Sequence, residues 1–313
     1  MKFTQVKGFT KRIYTRAVNN VRSNFGLAFR QRARRKPGPV ISPLLLWEVV
    51  LLCVLGGLIS MVWLDAAVAA NRGNYPEIVV WISNLLTRLG KSDWILIPTG
   101  IALIAFALIN TELLSRRGRV RMFRWIVTLS YIFIGVGLPS LLATLIKRVI
   151  GRPRPRLFEE HGLFDFHPFA IDASFASFPS GHSTTIGAMA MVMSLLAPRF
   201  RHVFLVVGVL VGFSRVGVGA HHPSDVIVGL LFGATMAYVV AKLFAAHGLL
   251  FLDTRASVRI GVRPAFRLRQ AFRIGQTRLG RVQGSGNRQR PAIFHRGPAQ
   301  RFCPSGKSLD RPD

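Results

Sequence analysis

Runs of apolar residues alternate with short polar stretches through the middle of this 313-residue chain, between about residues 43 and 247. Six runs have the composition of helices that cross a membrane, and most have the necessary length. These runs are Pro43–Leu64, Trp94–Asn110, Trp125–Ile146, Thr184–Ala197, Val203–Val218 and Val226–Ala246. The pattern predicts an all-α, polytopic membrane protein whose six transmembrane helices form one bundle.

The fourth and fifth runs are short for membrane-spanning helices. Both contain small residues of the kind that allow helices to approach closely inside a bundle. These residues are Gly187, Ala188, Ala190, Gly208 and Gly212. Between the first two runs, the apolar positions of Tyr75–Gly90 recur at helical spacing, which predicts an amphipathic helix lying at the membrane interface.

The charge of the chain is concentrated at its two ends. The formal net charge is +29, yet half of the residues are hydrophobic. Residues 1–42 are predicted to be a basic arm and residues 248–313 a basic tail without regular structure, flanking a membrane domain at 43–247. Such ends suit anionic lipid headgroups. We expect no nucleic-acid partner, since no recognised nucleic-acid-binding motif is present.

Loop charges predict the orientation of the bundle. Five arginines lie between the second and third runs: Arg116, Arg117, Arg119, Arg121 and Arg124. By the positive-inside rule this loop and both termini are cytoplasmic, in a multi-pass protein of the cell (inner) membrane. The loop between the third and fourth runs would then be on the outer, periplasmic side, although it is also strongly basic. Its cations are Lys147, Arg148, Arg152, Arg154 and Arg156. Cations in a loop where topology disfavours them suggest an anion-binding site.

Three polar clusters lie at the predicted outer ends of the third to sixth helices. The first begins at Lys147 and runs to Arg154-Pro155. The second is Pro179-Ser180-Gly181-His182, which opens directly into an apolar helix whose free N–H groups favour anions. The third contains Ser214-Arg215, His221 and Asp225.

In these clusters the chain resembles the type 2 phosphatidic acid phosphatase superfamily, which shares its site with the vanadium haloperoxidases. The family pattern is K-x6-R-P, then P-S-G-H, then S-R-x5-H-x3-D, and every signature position is filled here. The resemblance covers roughly residues 44–247. It implies a membrane lipid phosphatase whose site lies at the outer ends of helices three to six.

The resemblance also implies a role for each catalytic residue. His221 would be the nucleophile and form a phosphohistidine. Asp225 would bond the far ring nitrogen of His221 and select its tautomer. His182 would protonate the leaving alkoxide and later activate water.

The resemblance further implies the groups that hold the phosphate. The phosphate-binding residues would be Lys147, Arg154, Ser180, Gly181 and Arg215. Their fixed positive charges would replace a metal ion, so neither a metal nor another cofactor is expected.

Other polar residues receive simpler interpretations. Arg148, Arg152 and Arg156 would pair with lipid headgroups, and His222 would be a bystander beside His221. Asp65 would only mark the end of the first helix. The outer loop also carries six acidic and histidine side chains, whose irregular spacing favours a solvated loop over a metal site. They are Glu159, Glu160, His161, Asp165, His167 and Asp172.

The expected reaction is hydrolysis of a lipid phosphomonoester or pyrophosphate. Candidate substrates are phosphatidic acid, phosphatidylglycerol phosphate, undecaprenyl pyrophosphate and the phosphates of lipid A. A phosphotransferase that passes the group to a second lipid would use the same residues. A catalytically silent membrane scaffold is a further alternative. A haloperoxidase is disfavoured, because those relatives are soluble.

Overall fold

The structure, a computed structural model, describes residues 10–11, 13–22, 43–247, 249–254 and 257–262. Most of the predicted basic arm (1–42) and most of the predicted tail (248–313) lie outside these residues. We number the helices α1 Pro43–Trp63, α2 Asp65–Ala70, α3 Glu77–Thr87, α4 Asp93–Leu108, α5 Arg116–Ile150, α6 Phe158–His161, α7 Gly181–Leu196, α8 Arg201–Gly217 and α9 Pro223–Ala246. Two antiparallel strands follow, β1 Phe251–Thr254 and β2 Ser257–Val262.

The six predicted apolar runs all become helices, but they do not give six membrane-length spans. Among the described residues, five helical stretches are long and apolar enough to cross a membrane: Leu46–Trp63, Glu77–Leu108, Arg116–His161, Pro198–Gly217 and Pro223–Ala246. The exception is α7, whose 16 residues extend only about 24 Å, against roughly 30 Å for the hydrocarbon core. The prediction of a helical membrane protein is confirmed, with five candidate spans, and the short β1–β2 hairpin is an addition that the sequence did not predict.

The short helix α7 lies at the centre of the bundle and packs against α5, α8 and α9. Small residues make this possible. A Cβ at Gly187 would lie 2.4 Å from the carbonyl oxygen of Leu230, and one at Gly208 would lie 2.9 Å from the Cβ of Ala190. Ala188 is fully buried. The expectation that small residues allow close packing is therefore confirmed.

Unlike α7, which is packed on three sides, α1 exposes most of its apolar side chains. Only 6% of the apolar window of α1 is buried, against 33% for α5 and α9. Large apolar side chains on α1 are exposed, including Trp47 and Trp63 at 71% and 75%. An apolar outer surface of this kind is what a lipid environment requires.

Short segments on both sides of the predicted membrane domain have regular structure. Residues 13–22 of the basic arm are helical, and the buried Asn20 donates to the carbonyl oxygens of Ala107 and Ile109 at 2.8 Å. At the other end, the predicted tail begins with the β1–β2 hairpin. Its first residue, Phe251, is fully buried, with its ring 4.8 Å from that of Tyr131. Packing against α4 and α5 gives these segments an order that their composition does not indicate.

Candidate active site

The structure brings the three sequence clusters to one end of the bundle. Lys147 lies in the last turn of α5, and a Cβ at Gly181 would lie 3.8 Å from its Nζ. The backbone N–H of Ser180, just before α7, donates to the carbonyl oxygen of Asp225 in α9 at 3.1 Å. Arg215 lies near the end of α8. Residues of α5, α7, α8 and α9 therefore lie close together at this end of the bundle, and we treat them as one candidate site.

His221 lies on the short connection between α8 and α9 and is 4% exposed. Its Nδ1 is 2.9 Å from the carbonyl oxygen of Ser177. Because a carbonyl only accepts, Nδ1 carries the proton and Nε2 carries the lone pair. Burial lowers the pKa of His221, Asp225 partly offsets this effect, and the nearby Arg154 and Arg215 lower the pKa again. This is the tautomer that a nucleophilic Nε2 needs.

The expected direct contact between Asp225 and His221 is replaced by a longer arrangement. Asp225 Oδ2 lies 3.6 Å from Nδ1 of His221, beyond hydrogen-bond distance. The same oxygen accepts from the Ser177 hydroxyl at 2.5 Å and from the His222 backbone N–H at 3.0 Å. Ser177 therefore contacts both Asp225, through its hydroxyl, and His221, through its carbonyl, and the sequence analysis did not single it out.

A buried ion-pair network lies behind this arrangement, and the sequence analysis missed it. Arg152 is 0% exposed and donates to Asp65 Oδ2 at 2.8 Å and to Asp225 Oδ1 at 2.5 Å. Asp65, also 0% exposed, accepts from the backbone N–H of Ser224 at 3.0 Å. The interpretations of Arg152 as a headgroup cation and of Asp65 as a helix marker are wrong. Asp65 is 87 residues from Arg152, so no local pattern indicated the pair.

Three predicted phosphate-binding cations lie near the two histidines, Arg154 and Arg215 near His221 and Lys147 near His182. Lys147, Arg154 and Arg215 are partly buried. Within the described residues, the Nε–H groups of Arg154 and Arg215 are buried and have no hydrogen-bond partner. Buried guanidinium donors normally have partners, so these two N–H groups are available to an anion.

The α3 segment closes one side of the site. Arg215 donates through Nη1 to the hydroxyl of Thr87 at 2.7 Å. A Cβ at Gly90, just after α3, would lie 3.2 Å from the Cβ of His182. The predicted helix at Tyr75–Gly90 is therefore present and contributes to the site, a role that the sequence did not suggest.

His182, at the start of α7, is partly buried among cations. Burial, and after it the charges of Arg215, His221, Lys91 and Lys147, lower its pKa from 6.5 to about 4. Neighbouring positive charge disfavours the imidazolium form. His182 is therefore neutral near pH 7.

Ser180 and Gly181 form the turn that begins α7. The Ser180 hydroxyl is buried and accepts from the backbone N–H of Ser183 at 3.4 Å and from its hydroxyl at 2.9 Å. Ser180 is thus the N-cap of α7. In the part of the chain described here, the backbone N–H groups of Gly181 and His182 have no hydrogen-bond partner, so the helix start can donate to an anion.

The remaining cations of the first cluster, Arg148 and Arg156, bind groups of the protein, and His222 is buried. Arg148 donates to the carbonyl oxygens of Ala170 and Ile171, and Arg156 donates to the hydroxyl of Ser174. These bonds hold the loop after α5. His222 is fully buried, and burial lowers its pKa.

Three of the six acidic and histidine residues of the loop come together. The carboxylate of Asp165 lies 2.6 Å from Nδ1 of His161 and 3.1 Å from Nε2 of His167. Asp172 instead accepts from the backbone N–H of Ser174 at 2.9 Å. The loop is therefore more organised than its irregular spacing predicted.

Comparison with known proteins agrees with this geometry. The family model described as the PAP2 superfamily matches residues 125–248. The chain is 42% identical over 224 residues to a lipid A 1-phosphatase of Rhizobium johnstonii, covering 70% of this chain and 89% of that protein. It is 41% identical over 213 residues to a lipid A 1-phosphatase of Rhizobium etli, covering 67% of this chain and 90% of that protein.

A shorter match extends to another lipid phosphatase. Over 100 residues the chain is 36% identical to the undecaprenyl-diphosphatase BcrC of Bacillus subtilis, covering 32% of this chain and 47% of that protein. The site geometry and the long matches lead to one conclusion: this chain belongs to the PAP2 superfamily, in its branch of membrane phosphatases that act on lipid phosphates.

Proposed function

We propose that this protein hydrolyses a phosphate monoester of a membrane lipid, and that its substrate is lipid A, from which it removes the 1-phosphate. The observation that carries the reaction is the pair of buried, unpartnered guanidinium Nε–H groups of Arg154 and Arg215 beside His221. The choice of lipid rests on similarity to two lipid A 1-phosphatases along nearly their whole length.

In the first chemical step, the lone pair on Nε2 of His221 attacks phosphorus, and the bond from phosphorus to the lipid oxygen breaks. Lys147, Arg154 and Arg215 would stabilise the charge on the non-bridging oxygens. The Nδ1–H of His221 continues to donate to the Ser177 carbonyl. The product is a phosphohistidine and a lipid alkoxide that must be protonated.

His182 would supply that proton. Its pKa is about 4, since burial and cations disfavour the charged ring. A bound phosphate dianion offsets those positive charges and raises the pKa of His182, so that it binds a proton when substrate arrives. After proton transfer, neutral His182 accepts a proton from water. That water attacks phosphorus, the phosphorus–Nε2 bond breaks, and inorganic phosphate and the free lipid hydroxyl are the net products.

The same reading requires no metal ion in the chemistry, because fixed side-chain cations hold the phosphate. We further propose that α7 is the sixth helix of the membrane bundle. Both termini would be cytoplasmic in the cell membrane, with the site at its outer face. The arginines of the first turns of α5, between Arg116 and Arg124, support this orientation.

Phosphate release from defined lipids tests the proposal. The full chain, purified in detergent with EDTA, would be given lipid A, phosphatidic acid, phosphatidylglycerol phosphate and undecaprenyl pyrophosphate. We expect release from lipid A at its 1-position, indifference to EDTA and complete loss in His221→Ala. A trapped phosphoenzyme stable in base and labile in acid would support phosphohistidine.

Other results would redirect the assignment. Release from one of the other lipids would identify that lipid as the substrate and leave the proposed chemistry unchanged. Loss of phosphate from the donor with its appearance on an added acceptor lipid would indicate a transferase. Full cellular function in His221→Ala would favour the scaffold alternative.

A further inference from the structure

We propose that His161, Asp165 and His167 form a divalent-metal site in the loop after α5, with Zn²⁺ as the ion that the donors fit best. The three ligand atoms lie within 4.8 Å of one another. Two imidazole nitrogens and a carboxylate oxygen are a donor set that zinc accepts. Ligand atoms at about 2.1 Å from zinc are roughly 3.4 Å apart in a tetrahedron, so small side-chain adjustments suffice.

Both imidazoles are held in place by packing. The His167 ring is 4.3 Å from the ring of Phe175, and the His161 ring is 5.2 Å from it. The backbone N–H of His167 donates to the carbonyl oxygen of Gly151 at 2.8 Å. Ligands that are already oriented lose less conformational freedom when an ion binds.

Solvent can reach the cluster. The side chains of His161, Asp165 and His167 are 29%, 47% and 45% exposed. Three protein ligands leave a fourth position for water. The site is therefore suited to an exchangeable ion that enters from solution.

The position of the cluster indicates what the ion would do. Phe175, on which both rings pack, adjoins Ser174, and the carbonyl oxygen of Ser174 accepts from the backbone N–H of Arg154 at 2.9 Å. Ser177 follows two residues after Phe175 and bonds His221. An ion bound at this cluster would order the segment that carries these two anchors, without touching the substrate.

Zn²⁺ binding to the full-length protein tests the inference. EDTA-stripped protein would be titrated with Zn²⁺ by calorimetry, and hydrogen exchange of residues 158–177 would be measured with and without the ion. We expect one ion per chain at this cluster and slower exchange in that segment. His161→Gln, Asp165→Asn and His167→Gln should each weaken binding at least tenfold. The control His202→Gln, an exposed histidine on α8, should leave it unchanged.

Two results would contradict the proposed zinc site. Equal Zn²⁺ affinity in the three ligand variants and the wild type would overturn the site and place any bound ion elsewhere. Failure of the wild type to bind Zn²⁺ would show that the three side chains form only a hydrogen-bonded cluster. Because these measurements do not depend on turnover, their failure is distinct from failure of the proposed phosphatase activity.

Discussion

Nδ1 of His221 is 2.9 Å from the carbonyl oxygen of Ser177 but 3.6 Å from the carboxylate of Asp225. Ser177 therefore stands between the predicted nucleophile and the acid expected to orient it. Its hydroxyl bonds Asp225, and its backbone N–H donates to the carbonyl oxygen of Arg152 at 3.1 Å. Ser177 therefore links the buried ion pairs to the imidazole of His221.

Ser177→Ala should lower kcat about tenfold. The variant keeps the carbonyl that selects the His221 tautomer but loses a hydrogen bond to an ionised carboxylate, worth about 1.5 kcal/mol or more. Steady-state kinetics on the best lipid substrate would measure the change. A loss as complete as that of His221→Ala would mean that the hydroxyl takes part in the chemistry itself.

Asp65→Asn should destabilise the protein by about 3 kcal/mol, because it leaves the fully buried Arg152 with one anionic partner instead of two. Thermal unfolding in detergent would show a lower melting temperature. Glu160→Gln, an exposed carboxylate of the loop, is the matched control and should unfold like the wild type. Equal stability of Asp65→Asn and this control would contradict a stabilising role for the pair.

Thr87→Val should reduce kcat/KM about fivefold to tenfold, since Arg215 loses the hydroxyl that orients its guanidinium. Thr87→Ser should restore most of the activity. The control Thr144→Val removes a hydroxyl on an exposed face of α5 that bonds only the helix carbonyl of Ser140. If the two valine variants were equally active, the α3 segment would have no part in the site.

Acidification should destabilise the protein partly through His182. Its pKa falls from 6.5 to about 4 on folding, since burial and nearby cations disfavour its charge. Between those pH values the unfolded chain binds a proton that the folded chain does not, so stability decreases as pH falls through this window. Between pH 6.5 and pH 4, the melting temperature of His182→Gln should fall less than that of the wild type. The control His202→Gln should follow the wild type, and identical curves for all three proteins would refute the shift.

Gly187→Ala should destabilise the bundle by about 1–3 kcal/mol or more, because the new methyl group would lie 2.4 Å from the carbonyl oxygen of Leu230. Backbone cannot move aside as a flexible side chain can. Gly73→Ala is the matched control, since a Cβ there meets no described atom within 4 Å. Melting temperatures in detergent would compare them, and a stable Gly187→Ala would show that α7 and α9 can separate without cost.

The sequence by itself determined the helical nature of the protein, the position of most helices and the residues that converge at the site. Apolar run length reports which segments prefer lipid, and the spaced motifs beginning at Lys147, Pro179 and Ser214 are local patterns. The short length of α7 was also visible, although its central place among α5, α8 and α9 was not.

Only the tertiary structure decided the contacts that join distant parts of the chain. Asp65 meets Arg152 across 87 residues, and Arg215 meets Thr87 across 128. Such pairs depend on how helices pack, which neither spacing nor composition encodes locally. The same holds for Ser177, whose role follows from a backbone carbonyl, a group that every residue carries and that only the fold directs towards His221.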